Sequence, residues 1–178
     1  MGEGKVKKKK GEVGEGTPVM TQRDFMDLFW KLPSVEVEKR QTAFCQLLQH
    51  LLNEQKRFES ESPLDTTKFQ VWEESLSTTD GQPNQPNPFV ASDVNYAQKR
   101  LINGVVSSNE CARQGFGAAL TEMMARIPAV SGTHVLRMLL HVTASGSGED
   151  RQEAKDKCFG RLCGLLAVAR SGVLWRVQ

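Results

Sequence analysis

The side chains in this chain that could bind a metal ion or act as nucleophiles are three histidines and four cysteines. They are His50, His134, His141, Cys45, Cys111, Cys158 and Cys163. No histidine has metal-ligand spacing with another or with a carboxylate, and no CxxC pair occurs. Cys158 and Cys163 would point to partly different sides of a helix. We therefore expect no metal site and no cofactor, and we interpret the cysteines as reduced core residues.

The motifs of common enzyme classes are missing from the sequence. It contains no GxSxG nucleophile motif, no P-loop and no acidic pair beside a base. Gly115-Phe-Gly117 resembles half of a phosphate-binding loop, but it lacks a third glycine and lies inside a predicted helix with no strand before it. We interpret it as a place where a neighbouring helix packs closely. The sequence thus predicts a protein that is not an enzyme and has no small-molecule substrate.

Five lysines lie within the first ten residues, in a segment rich in Gly and Glu. They are Lys5, Lys7, Lys8, Lys9 and Lys10. Such a cluster is typical of a nuclear import signal or of a loose phosphate contact, and the alternative is a solvated charged tail. The net charge of the whole chain is only +2, so binding of this tail to nucleic acid stays an open question. Residues 1–20 are predicted to be disordered because they hold few apolar side chains.

Three LxxLL strings occur, at residues 48–52, 136–140 and 162–166. In one interpretation such a helix presents its leucines to a hydrophobic groove on a nuclear receptor. In the other, the leucines belong to the apolar face that packs each helix inside the domain. We favour the core interpretation for all three strings, because each continues an apolar stripe that packing already requires.

Apolar residues recur at helical spacing in six or seven segments, and no segment alternates as a strand would, so we predict an all-α fold. The expected start signals are Thr21, Ser34, Asp93 or Asn95, Ser107 and Ser131 or Thr133; the expected stop signals are Pro33, Pro128 and Gly172. The last helix should span about residues 149–170. Its buried stripe should be Cys158, Phe159, Leu162, Leu165, Leu166 and Ala169.

Residues 58–92 are rich in Ser, Thr, Gln, Asn and Pro and are predicted to form a polar loop inserted into the domain. A short helix over 68–76, anchored by Phe69, Trp72 and Leu76, is possible within it. Asn87-Pro-Phe89 could be a docking tripeptide, although ordinary loop chemistry is favoured. We expect a tail over 1–20 and one helical-repeat domain over 21–178.

Composition is that of a soluble intracellular domain, with 39% apolar and 25% charged residues and no segment suited to span a membrane. The predicted helices pair at intervals of about 35–45 residues, which is typical of HEAT and armadillo arrays. We therefore expect an α-solenoid of such pairs, and a helical bundle is the alternative.

Four blocks of sequence carry a resemblance to a known family. They are residues 24–30 (DFMDLFW), 96–104 (YAQKRLING), 112–122 (ARQGFGAALTE) and 159–172 (FGRLCGLLAVARSG). On these blocks, residues 21–175 resemble the N-terminal part of the Myb-binding protein 1A / DNA polymerase phi family. Members of that family are much longer, so we expect this chain to be a fragment, a short isoform or an incomplete gene product.

The resemblance implies a nuclear and nucleolar α-solenoid that acts in ribosomal RNA gene transcription, ribosome biogenesis and transcriptional co-regulation. Implied partners are the leucine-zipper region of Myb-type transcription factors and, less directly, ribosomal DNA or pre-ribosomal complexes. No membrane partner is implied. The polymerase name carries over no catalytic residue, because the sequence lacks the paired aspartates that nucleotidyl transfer needs.

We thus predict a nuclear scaffold that binds partners through exposed helix faces and inter-helix turns. Candidate contacts are the basic residues Lys99, Arg100, Arg113 and Arg126. Two alternatives are a short coregulator that presents an LxxLL helix and a segment of a nucleic-acid polymerase. Residues 173–177 should leave an apolar end exposed and favour self-association.

Overall fold

The computed structural model describes residues 20–78, 85–146 and 148–176, and within these ranges it is helical and contains no β-strand. Its helices are α1 (Gln22–Lys31), α2 (Val37–Glu61), α3 (Thr66–Thr78), α4 (Ser92–Val105), α5 (Glu110–Arg126), α6 (Gly132–Val142) and α7 (Arg151–Ser171), followed by a 3-10 turn (Val173–Trp175). The predicted all-α class is confirmed. The expected tail, apart from Met20, lies outside the described residues.

Several helix ends follow the predicted local chemistry. The Thr21 side chain accepts a hydrogen bond from the Asp24 amide at 3.2 Å and caps α1. Ser131 does the same for α6 through the His134 amide at 3.1 Å. Gly172 ends α7 in the left-handed region with φ of 72°, which glycine adopts without steric cost.

Two predicted start signals lie two residues too early. The Ser34 hydroxyl accepts from the Glu36 amide at 3.2 Å, and the Ser107 hydroxyl accepts from the Asn109 amide at 3.2 Å. Each serine therefore forms a short turn, and the residue that follows that turn takes the cap position, Glu36 for α2 and Asn109 for α5. Serine hydroxyls bond readily to an amide two residues on, which competes with capping.

The hydrophobic core joins α1, α2, α4, α5 and α6. Its largest fully buried side chains include Phe25, Phe29, Leu47, Leu51, Leu101, Ile102, Leu120, Met123, Met124 and Leu139. Full burial of one such side chain contributes about 1.5–3 kcal/mol, compared with typically about 1 kcal/mol for a helix cap. The apolar residues of α4 and α5 that recur at helical spacing are largely buried, as expected of helices that pack inside a domain.

The stretch expected to be a polar loop contains more helix than predicted. Residues 58–61 complete α2, and α3 spans Thr66–Thr78. The Lys68 amide bonds to Asp65 Oδ1 at 3.1 Å at the start of α3. Phe69 and Trp72 pack against Phe89, with ring centroids 5.5 and 5.8 Å from it. Aromatic packing holds α3 in place despite its polar composition, as the anchors proposed for 68–76 suggested.

Most helices pack on those nearest in the chain, whereas α3 packs on α6. Helix α1 packs on α2, α4 on α5 and α6 on α7, while α2 contacts α4 and α5, α4 contacts α6, and α5 contacts α7. The approach is close where α5 meets the end of α1: a Cβ on Gly115 would lie 2.1 Å from the Leu32 carbonyl oxygen. Gly115 thus has the packing role expected of it, whereas a Cβ on Gly117 would meet open space.

Candidate interaction surface

The four basic residues predicted to contact partners do not form one patch. Lys99 is exposed on α4, and Arg126 is exposed near the end of α5, where it pairs with Glu122 at 2.8 Å. Arg113 is half-buried and donates to the Ser107 carbonyl at 2.7 Å. The use of these side chains in binding stays a prediction, and Lys5 and Lys7–Lys10 lie outside the described residues.

Arg100, the fourth of these residues, makes side-chain contacts inside the fold. Its guanidinium carbon lies 5.8 Å from the Phe29 ring centre and 5.7 Å from that of Trp30. Its Nε is buried without a hydrogen-bond partner among the described residues. Cation–π contacts with two rings favour a role in docking α4 onto α1.

The three LxxLL strings have different environments. In the first, Leu48 and Leu51 are buried on α2, as the core interpretation predicted. In the second, Leu139 on α6 is 0% exposed while its neighbour Leu140 is 49% exposed. In the third, the prediction of a core position is wrong: Leu162, Leu165 and Leu166 on α7 are 58%, 41% and 50% exposed.

Helix α7 points its small residues and Val168 inward and most of its large apolar residues outward. A Cβ on Gly160 would lie 2.7 Å from the Val106 Cα, and one on Gly164 would lie 2.5 Å from Leu139 Cδ2. Ala167 is buried on the same side. The small side chains let α7 approach its neighbours closely. The stripe that was predicted to be buried therefore lies on the side of α7 that faces away from the core. The Gly160-xxx-Gly164 spacing was the sequence signal for this orientation.

The outward stripe of α7 consists of Cys158, Phe159, Leu162, Leu165, Leu166 and Ala169, which are all exposed. Cys45 on α2 is exposed as well, so the prediction that all four cysteines are core residues is wrong for Cys45 and Cys158. All four thiols are free. We name this stripe the outer face of α7.

A groove of about 480 Å³ runs between α5 and α7 beside the outer face. Its α5 wall carries Gly117, Ala118 and Thr121, and its α7 wall carries Cys163 and Leu166. Most of these side chains are small or apolar, and polar or charged side chains complete the lining: Glu110, Arg113, Gln114 and Arg170. The groove and the outer face form one continuous surface, because Leu166 belongs to both.

Basic side chains border this surface. Arg113 and Arg170 lie at the rim of the groove. The Arg113 guanidinium carbon lies 5.5 Å from the centre of the Phe159 ring, and Lys155 Nζ lies 5.9 Å from it. One carboxylate, Glu110, also lies at the rim and accepts from the Gln114 side-chain amide at 3.2 Å. Positive side chains therefore outnumber the negative one here.

A buried polar cluster at the start of α6 serves the fold. His134 Nδ1 lies 2.9 Å from Gln98 Nε2, and His134 Nε2 lies 2.8 Å from the Gln85 carbonyl oxygen. The short contact to a carbonyl requires a hydrogen on Nε2, so the neutral ring donates there and accepts from Gln98. Burial lowers the pKa of His134, and Lys99 and Arg137 lower it further, against the raising effect of the Gln85 carbonyl.

The Asn87-Pro-Phe89 tripeptide is also engaged internally. Asn87 is 1% exposed, and its side-chain amide donates to the Ala129 carbonyl at 2.7 Å. Its Oδ1 accepts from the Phe89 amide at 2.9 Å. These contacts agree with the ordinary loop chemistry that the sequence favoured, since a buried asparagine is not accessible to a docking partner.

The apolar end of the chain is partly packed. Val173 is buried and would contact a Cβ on Gly132 at 2.8 Å, whereas Leu174 and Trp175 are exposed. Self-association through this end stays a prediction.

Within the described residues, no group of three or more His, Cys, Asp or Glu side chains could hold a metal ion. No helix in these ranges is long and apolar enough to cross a bilayer.

Comparison with known proteins finds similarity in the second half of the chain. Residues 96–178 match the model of a family described as DNA polymerase phi. A curated relative, the rDNA transcriptional regulator pol5 of Schizosaccharomyces pombe, is 42% identical over 83 residues, which are 46% of this chain and 9% of the yeast protein. The chain thus spans a small part of the length of this relative. No solved structure matches it. These matches confirm the family resemblance over residues 96–178, which hold three of the four sequence blocks. The block at residues 24–30 lies outside the matched stretch, so the resemblance there stays a prediction.

Proposed function

We propose that this chain, whose residues 96–178 match the DNA polymerase phi family, is a nuclear interaction scaffold that acts in the regulation of ribosomal DNA transcription. The similarity to a protein named as an rDNA transcriptional regulator supports this role. Nuclear localisation follows from such a role, and nucleolar localisation is its more specific form. Ribosome biogenesis is the wider process that it would serve.

The observation that carries the scaffold role is the outer face of α7 together with the α5–α7 groove. Large exposed apolar patches on a folded domain are typical of surfaces that bind other macromolecules. Their exposed leucines, Leu162, Leu165 and Leu166, lie in the stretch that matches the family. Partner binding, with no catalytic step, is the activity that this surface supports best.

The arrangement that we propose for the helices is a short α-solenoid of the armadillo or HEAT type. Consecutive pairs, α1 with α2, α4 with α5 and α6 with α7, contact chiefly the next pair along the chain, which supports this arrangement. In such an array each helix pair covers a face of its neighbour. The outer face of α7 has the apolar composition expected of a face that another helix covers.

The partners that we propose are transcription factors, with the leucine-zipper region of Myb-type factors as the specific case, and ribosomal DNA or pre-ribosomal complexes reached through them. Direct DNA binding would have to use the scattered basic residues or the N-terminal lysines. A net charge of +2 favours protein partners over direct, strong contact with DNA.

Recruitment to ribosomal DNA tests the proposal. The tagged chain is expressed in cultured cells, and its occupancy of ribosomal DNA is measured by chromatin immunoprecipitation alongside newly made pre-ribosomal RNA. We expect enrichment at ribosomal DNA and a change in synthesis that the double variant Leu162→Glu/Leu166→Glu loses. Uniform distribution over chromatin, with unchanged synthesis, would contradict the proposal.

The second candidate function, a coregulator that presents an LxxLL helix, is favoured by the exposure of the third string. Presentation of Leu162, Leu165 and Leu166 to a receptor requires these side chains but does not require the neighbouring groove. Leu165→Ala should then abolish receptor capture, whereas Gly117→Leu, which fills the groove from α5, should leave it unchanged. Loss of capture in both variants would argue against simple LxxLL presentation.

A further inference from the structure

We infer that the α5–α7 groove and the adjoining outer face of α7 form a docking site for one amphipathic helix with acidic flanks, supplied by a partner protein. This inference deepens the proposed scaffold role by naming the chemistry of its ligand. It rests on the proposed function only in assuming that the surface binds a protein.

The dimensions of the groove suit a short helix. Its α5 wall runs from Glu110 to Thr121, and a rise of about 1.5 Å for each step between these residues gives a length of about 16 Å, or about three helical turns. Gly117 and Ala118 present almost no side chain along this wall, so a helix backbone can come close. Leu166 on the opposite wall supplies a knob that packs between the ligand's side chains.

A helical ligand also fits better than an extended one. Extended peptides bind by adding a strand to the exposed edge of a sheet or, when they are proline-rich, by docking in grooves lined with aromatic side chains. The described residues of this chain contain no strand, and no aromatic side chain lines the groove. Helices bind grooves between helices through apolar side chains at positions i, i+3, i+4 and i+7. The outer face of α7 extends the apolar contact area on one side of such a ligand.

The positive side chains around this surface favour a ligand with acidic residues beside its apolar stripe. Arg113 and Lys155 lie at the Phe159 end of the surface, and Arg170 lies at the other end of the α7 wall. Acidic side chains beside the ligand's apolar stripe would meet these cations at both ends. Glu110 is the one carboxylate at the groove, so a basic ligand would find fewer partners and more repulsion. Charge complementarity therefore sets the preference for acidic flanks.

The inference is tested with synthetic peptides of about 18 residues, long enough to form a helix on binding. One peptide carries leucines at i, i+3, i+4 and i+7 with glutamates beside them; the other carries lysines in place of the glutamates. Binding to the full chain is measured by fluorescence anisotropy. We expect saturable binding of the acidic peptide and roughly tenfold weaker binding of the basic peptide, since several exposed charge pairs change sign.

Two pairs of variants locate the binding site. Gly117→Leu fills the groove from a position where a Cβ meets open space, so it should lower affinity for the acidic peptide without lowering the melting temperature. Its control, Thr42→Leu, adds the same side chain at an exposed position of α2. Arg170→Glu should weaken binding of the acidic peptide, while Arg23→Glu, which makes the same charge change at an exposed position of α1, should not.

Three results would overturn the inference. Equal affinity for the two peptides would remove the charge preference, and unchanged affinity in Gly117→Leu would place the peptide elsewhere. A dimer in sedimentation velocity that Gly117→Leu dissociates would show that a second copy of the chain occupies the groove. Peptide binding involves no DNA, so it can succeed while recruitment to ribosomal DNA fails, and the two proposals can be judged separately.

Discussion

Gly164 of α7 lies so close to Leu139 of α6 that a Cβ on the glycine would be 2.5 Å from Leu139 Cδ2. Real Cβ atoms almost never approach another atom so closely, so the backbone of α7 sits directly on the leucine. One turn earlier, Gly160 makes the same kind of approach to Val106. These two glycines determine which side of α7 faces the core and, with it, which side carries the exposed leucines.

Substitution of Gly160 tests this close packing. Gly160→Ala would place a Cβ 2.7 Å from the Val106 Cα, and a backbone atom cannot move aside as a side-chain end can. Overpacking should cost about 1–3 kcal/mol, more than the gain of up to about 1 kcal/mol in helix propensity. Urea unfolding followed by circular dichroism measures the change.

The matched control is Gly117→Ala on α5, where the added Cβ meets nothing within 4 Å. That variant should gain up to about 1 kcal/mol of unfolding free energy from helix propensity alone. An equal gain in Gly160→Ala would mean that α7 does not approach α4 as described.

Adjacent leucines of the second LxxLL string should respond differently to truncation. Leu139→Ala removes a fully buried side chain and should lower the free energy of unfolding by about 2–5 kcal/mol. Leu140 is 49% exposed, so Leu140→Ala should change it by well under half that amount. Thermal unfolding of both variants measures the difference, and equal losses would indicate that the face of α6 has been assigned incorrectly.

Asn87 holds the segment before α4 against the turn after α5. Asn87→Ala would leave the buried Ala129 carbonyl without its donor and should cost about 1–3 kcal/mol. Asn53, an exposed residue of α2 that accepts from Gln49, provides the comparison: Asn53→Ala should stay within about 0.5 kcal/mol. Chemical denaturation measures both changes. A loss in Asn53→Ala as large as in Asn87→Ala would refute the structural role of the buried amide.

Stability should fall in mildly acidic solution because of His134. Its pKa is lowered in the folded chain, chiefly by burial, so the unfolded chain binds the proton more readily. The stability linked to neutral His134 is fully present above the ordinary histidine pKa of about 6.5. It decreases as the pH falls towards the lowered pKa of His134 in the folded chain. Urea unfolding at several pH values between neutral and mildly acidic measures this slope.

The control for the pH slope is His134→Gln, which cannot take up a proton in this range. It should be less stable than the parent at neutral pH, because the bonds to Gln98 and the Gln85 carbonyl are disturbed. Its stability should nevertheless depend less on pH. An unchanged pH slope in this variant would assign the effect to another group.

Local and periodic signals predicted much of this fold. Thr21 and Ser131 were identified because capping depends on neighbours in sequence. The stripe of α7 was wrong because both sides of that helix can be buried, one lined with glycine and alanine and the other with leucine. Periodicity records that two apolar sides exist, whereas tertiary contact decides between them.

The candidate site was harder to predict from sequence for the same reason. The groove depends on Gly117 and Ala118 of α5 lying beside Leu166 of α7, and no local pattern relates residues that lie so far apart in the chain. The cation–π contacts of Arg100 with Phe29 and Trp30 join α4 to α1, and no local pattern in the sequence predicts a contact between helices. Helix α3 was underestimated because its aromatic anchors are few among many polar residues.

The stretch that matches the family begins at Tyr96, one turn inside α4. The Tyr96 ring packs against Phe25 and Phe29 of α1, and the helix after it rests on the carbonyl of Leu32. A truncated chain that kept only residues 96–178 would therefore lack side chains that pack against its core, and apolar surface would be exposed to water. The family match begins at Tyr96, whereas the packed helices begin with the Thr21 cap of α1. A protein expressed for crystallography or spectroscopy should therefore retain the residues from Thr21 onwards.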